Sequence, residues 1–141
     1  VGTCEKVSSE SERLGQMINK ILLIGALSIG GCSTLGEYIQ VYFAPEDHDL
    51  MEQIAWCESS ADPNDSYSVA VNPKSGATGW FQHLPKWWDE RSKKAGFEGR
   101  SIYDPEANVG VASYLYYNMD SNPRWGGASH WYPSRRCWGG K

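Results

Sequence analysis

Nothing in this chain offers a ready metal site or a redox motif. Its four cysteines, Cys4, Cys32, Cys57 and Cys137, form no C-x-x-C pair, so neither a zinc ribbon nor a thioredoxin-like centre is indicated. His48, His83 and His130 lie far apart, without metal-ligand spacing. No metal and no other cofactor is expected. An excess of positive charge is lacking too. The formal net charge is -4 with histidine neutral, so no general affinity for nucleic acid is expected. No apolar run reaches the roughly 20 residues of a membrane-spanning helix, and no internal repeat is visible. Acidic residues are missing from 121–141, where Arg124, Arg135, Arg136 and Lys141 stand. Such an end either approaches an anionic polymer or is simply a solvated terminus.

What is present is an ordinary globular balance in 141 residues, 40% hydrophobic and 21% charged, which points to one domain rather than a disordered chain. Seven Trp, eight Tyr and three Phe make it rich in aromatic rings. These fill cores, and they also stack on sugars.

The first 45 residues read as a leader. From Met17 the chain runs through Lys20 into the apolar Ile21-Leu22-Leu23-Ile24, then small residues, then Cys32. A secretory signal has this layout, and Ile29-Gly30-Gly31-Cys32 resembles a bacterial lipobox. Polar residues 1–16 precede it. The segment is therefore read as an export or lipoprotein signal, as an uncleaved anchor giving membrane or lipid attachment, or as an ordinary apolar helix. Residues 33–45 read as a connector, and 46–141 as the domain.

Within the domain, Leu50, Ile54 and Cys57 share one helical face after Pro45, with Glu46, Asp47 and Asp49 suiting the first turn. This helix should end near Glu58, before the loop formers Ser59-Ser60 and Asp62-Pro63-Asn64-Asp65. Residues 67–82 read as a short hairpin or irregular sheet, because Val69 and Val71 alternate before a turn at Asn72-Pro73-Lys74-Ser75-Gly76. Pro85 opens a second helix that Gly96 closes. Asp104-Pro105 starts a third, with Asp104 as N-cap, running to about Met119.

Glycosidic cleavage needs a proton donor to the leaving oxygen, and that carboxyl keeps its proton at neutral pH only where apolar burial raises its pKa. Glu58 follows Ile54-Ala55-Trp56-Cys57, on a largely apolar helix and at its C-terminal end, where the dipole disfavours a carboxylate.

Three pieces then fall in order. Glu58-Ser59 closes a helix; Ser75-Gly76-Ala77-Thr78 leads into Gly79-Trp80-Phe81-Gln82; and Asp104-Pro105-Glu106-Ala107-Asn108 starts another helix. Together, over about residues 47–138, they resemble the lytic transglycosylases of the soluble, goose-lysozyme-like type. Phage and actinobacterial members are the most similar, with some likeness to resuscitation-promoting factors.

The resemblance implies a lysozyme-like α+β domain, mostly helical, with a small irregular sheet beside a glycan groove. It implies an exported or virion-borne monomer that cleaves peptidoglycan and leaves 1,6-anhydro-muramyl ends, with Glu58 as the single acid and base. Ser75 and Gln82 would hydrogen-bond the sugar, and Trp80, Phe81, Trp125 and Trp131 would line the groove; Trp87 and Trp88 are read as packing. Cys57 and Cys137 match a family pattern and would pair. One departure stands out. The late Ala-Tyr-Asn motif, whose Tyr supports the acid in many relatives, is missing, and Tyr114 is a less secure substitute. A hydrolytic muramidase using Asp62 or Asp65, and a non-catalytic wall-binding module, are the alternatives.

Overall fold

A computed structural model describes residues 33–66, 69–118 and 126–140. The expected signal and lipobox, Cys4, Cys32 and Trp125 lie outside the described residues. Thr34–Lys141 forms one compact unit. Its helices are α1 (Leu35–Tyr42), α2 (His48–Ser59), α3 (Pro85–Lys94), α4 (Pro105–Asn118) and α5 (Arg135–Trp138). A 3-10 turn at Pro45–Asp47 precedes α2, and a kinked 3-10 stretch at Gly127–Ser134 precedes α5.

The segment expected as a connector is largely helix α1. A capping box starts it. The Thr34 hydroxyl accepts from Glu37 N, and the Glu37 carboxylate accepts from Thr34 N, so two backbone donors that the helix leaves orphaned are satisfied. Leu35, Tyr38, Ile39 and then Phe43 enter the main core. The start of α1 is tied to the turn after α2 by Leu35 N donating to Asp65 O and Gly36 N to Pro63 O, each at 2.8 Å.

The expected sheet is not there. Among the described residues no strand forms, and the domain is helical rather than α+β; Thr78 makes isolated antiparallel bridges with Val71 and His83. The reason is local. The Asn72 carboxamide accepts from Lys74 N and Ser75 N, bending the chain into a turn. Gly79 (φ 85°) and Gln82 (φ 50°) then occupy the left-handed region. Two reversals within about ten residues leave no extended pair to ladder.

This loop hangs on one buried side chain. Asn108, on α4, accepts from Phe81 N at 3.1 Å through Oδ1, and its Nδ2 donates to Thr78 O and Ile102 O at 3.3 Å. Gly79 must be glycine, because a Cβ there would stand 2.7 Å from Asn108 Cγ. The Asp104 carboxylate accepts from Ala107 N at 3.1 Å and caps α4, with Pro105 in its first turn as the sequence suggests.

Candidate functional site

Glu58 sits one residue before the end of α2, where Ser60 takes a left-handed conformation (φ 57°) and stops the helix. Ser59 Oγ lies 3.0 Å from both Ala55 O and Trp80 O, fastening this helix end to the Thr78–Gln82 loop. Glu58 lines a cavity of about 270 Å³ with Ser75, Gln82, Phe81 and Trp131. Five residues expected at the site are thus brought together, with Asn72, Arg91 and His130 added to them. The cavity is small beside the roughly 300–1,000 Å³ usual for larger ligands.

Other expected residues fall elsewhere. Trp80 is 1% exposed and packs in the core, with its ring 6.2 Å from that of Tyr38; it is no groove wall. Tyr114 packs against the cluster of Trp88, Ala107, Val111 and Leu115 and does not line the cavity. Trp88 packs as expected, whereas Trp87 is 43% exposed, under the cations Lys86 and Arg91.

The partner of Glu58 is a residue that sequence reasoning missed. Ser134 Oγ donates to Glu58 Oε1 at 2.5 Å and lies 3.0 Å from Trp131 O. Trp138 Nε1 donates to Ser134 Oγ at 2.9 Å and also reaches Trp131 O at 3.0 Å. A serine hydroxyl has one proton to give, so these contacts define two states. With Glu58 ionised, Ser134 donates to the carboxylate. With Glu58 protonated, the acid donates to Ser134 Oγ, and the serine proton turns to Trp131 O. No group is stranded in either state, and the indole N–H polarises the hydroxyl in both.

Burial pushes the Glu58 carboxyl above its ordinary pKa of 4.5, and the Ser134 hydrogen bond opposes that shift. Apolar burial disfavours the ion, as a proton donor at neutral pH requires. Neither Arg91 nor His130 contributes to the shift.

Tertiary closure brings the tail here. Trp131 is 4% exposed and donates through Nε1 to Phe81 O at 3.0 Å. Cys57 and Cys137 are disulfide-bonded with Cα atoms 5.9 Å apart, tying the residue before Glu58 to α5. Gln82 donates through Nε2 to Gly79 O and Ala70 O, leaving Oε1 as the amide's uncommitted atom among the described residues. The Ser75 hydroxyl accepts from Ala77 N at 3.2 Å.

Among the described residues, no second carboxylate lines the cavity. Asp62 accepts from Asn64 N and Nδ2, and Asp65 from Asp62 N. Both carboxylates are spent on the turn they sit in.

The chain matches no protein-family model, no curated protein and no solved structure.

Proposed function

We propose that this chain is a peptidoglycan lytic transglycosylase, cleaving the bond between N-acetylmuramic acid and N-acetylglucosamine with Glu58 as acid and then base. The observation that carries the reading is a single half-buried carboxyl, held toward its protonated form, beside a hydroxyl that serves both its protonation states. Its sequence resemblance to that family and the shared cavity with Ser75 and Gln82 support it.

In this mechanism Glu58 gives its proton to the leaving glycosidic oxygen, and Ser134 rotates to hold the resulting carboxylate. The muramyl acetamido group assists at the anomeric carbon as the bond breaks. Glu58 then takes the proton of the 6-hydroxyl, whose oxygen closes on the anomeric carbon. The acid is regenerated, and no water is consumed. Retaining or inverting hydrolysis by the usual scheme needs a second carboxylate about 5–9.5 Å from the first, and the lining supplies none among the described residues.

A structural disulfide fits a protein working outside a reducing cytosol, so the proposed location is the exported cell envelope or a virion. The test is digestion of purified peptidoglycan in ¹⁸O-labelled water, read by mass spectrometry. Unlabelled fragments closed as 1,6-anhydro rings are expected. Labelled reducing ends as the main product would overturn ring closure in favour of hydrolysis. Binding without solubilisation would reduce the chain to a wall-binding module.

A further inference from the structure

Glu58 and Ser134 account for the proton transfers, and two other groups lining the cavity have no part in them. Arg91, on α3, is partly buried. Among the described residues its guanidinium meets no carboxylate at ion-pair distance and makes no hydrogen bond; it stands 6.0 Å from the centre of the Trp87 ring. His130, from the stretch before α5, has a buried Nε2 with no hydrogen-bond partner. Burial, then the charge of Arg91, hold its imidazole toward neutrality. The neighbouring His83 is already committed, donating through Nε2 to Asn108 O at 2.8 Å. Arg91 has only the neighbouring Glu90 acting on it through space, with no direct ion pair, and the orphaned ring nitrogen of His130 on the same cavity is unfavourable while it has no partner.

Resting on the reading of this cavity as an amino-sugar site, we propose that Arg91 and His130 form an anion subsite for a carboxylate carried by the sugar. The group is either the lactyl carboxylate of N-acetylmuramic acid or one on a peptide attached to it. The chemistry follows from the two partners. A guanidinium presents a planar fork that matches a carboxylate in a two-pronged pair. A neutral imidazole with Nε2 protonated adds a further donor. A neutral sugar hydroxyl would satisfy His130 but give Arg91 no directly paired carboxylate, so the pair selects for charge. Arg91 acts electrostatically on His130 and not on Glu58, so the subsite and the acid are separate groups on the one cavity they line.

The test compares binding of N-acetylmuramic acid, its methyl ester and N-acetylglucosamine to the full chain, by chemical-shift titration at constant salt. The acid is expected to bind about tenfold tighter than the ester, as one charge-assisted hydrogen-bonded pair implies. Arg91→Gln is expected to erase that difference while leaving ester affinity in place, and Arg91→Lys to recover part of it. Muramyl dipeptide against its fully amidated form tells the two sources apart. A preference for the charged member in either pair supports the subsite. Equal affinity within both pairs, or no binding of any probe, overturns it. The wild-type comparison decides the matter even if a variant does not fold. Glycan cleavage is scored separately on the same preparation, so a chain that prefers the acid but cleaves nothing overturns the enzymatic reading and not the subsite.

Discussion

Replacing Ser134 with alanine is expected to slow glycan cleavage without weakening substrate binding. In Ser134→Ala the carboxylate that Glu58 becomes on giving up its proton has lost its donor at 2.5 Å. A hydrogen bond to a charged group contributes about 1.5–3 kcal/mol. Glu58 is only half-buried, which points to the lower end, about tenfold in rate. The interaction strengthens as the proton leaves, so kcat and kcat/KM should fall together while KM holds. The pH profile adds a sign. Ser134 opposes the upward push of burial on Glu58; without it the carboxyl stays protonated to higher pH, and the alkaline limb of kcat/KM moves up. Stability should change by about 1 kcal/mol or less, because Trp138 Nε1 keeps Trp131 O at 3.0 Å. Ser134→Thr retains a hydroxyl and should restore both rate and profile. Steady-state kinetics on soluble glycan strands from acid to mildly alkaline pH supplies these quantities. A raised KM with unchanged kcat, or an alkaline limb that stays or moves down, refutes the assignment.

Glu58→Gln should lower glycan cleavage by about 10²–10⁴-fold, and retention of more than about a tenth of wild-type activity would remove Glu58 from the mechanism. The same variant should be at least as stable as wild type at neutral pH. The raised pKa means that native Glu58 contributes stability below the ordinary carboxylate pKa and loses it as pH rises through the folded value; denaturant unfolding at two pH values checks the sign. Cys137→Ser opens a disulfide spanning 80 residues and should cost up to about 4–5 kcal/mol by loop entropy, read as a lower denaturation midpoint; an unchanged midpoint would show that the tail docks without the bond. Burial, above all, pushes His83 down to about 4 from 6.5. The stability it contributes is present above pH 6.5 and lost as pH falls toward about 4, about 3 kcal/mol in all. His83→Gln should flatten the pH dependence of unfolding in that window, and an undiminished slope would rule the histidine out.

Helices α2, α3 and α4 were legible because their signals are local: apolar spacing around Ile54, Pro85 and Pro105 at first turns, and Asp104 as a cap. Helix α1 was missed although Thr34 and Glu37 spell a capping box. Its apolar face is short, and it follows a leader-like run that draws attention away. The sheet was misread because alternation at Val69 and Val71 signals extended chain, while the left-handed conformations at Gly79 and Gln82 depend on packing against Asn108. Trp80 was misplaced because an aromatic residue reads alike in a core or on a rim. Arg91, His130 and Ser134 gave no signal, since each reaches the cavity only through contacts distant in sequence.

That distance bears on how the site works. A glutamate at a helix end is ordinarily solvated and ionised. What alters Glu58 is burial, which raises its pKa, against the one side-chain hydrogen bond acting on it among the described residues, from Ser134 of the tail 76 residues further along. The tail is held by Trp131 on Phe81 O, by Trp138 on Trp131 O and by the bond from Cys57 to Cys137. Two of these fastenings act within a turn of the groups they position, since Cys57 precedes Glu58 and Trp138 hydrogen-bonds Ser134 itself. Loosening the tail would therefore rehydrate the carboxyl and remove its donor together, returning Glu58 to an ordinary solvated acid. In the proposed enzyme, closure of the tail and assembly of the acid/base pair are one event, and a reducing compartment would weaken both.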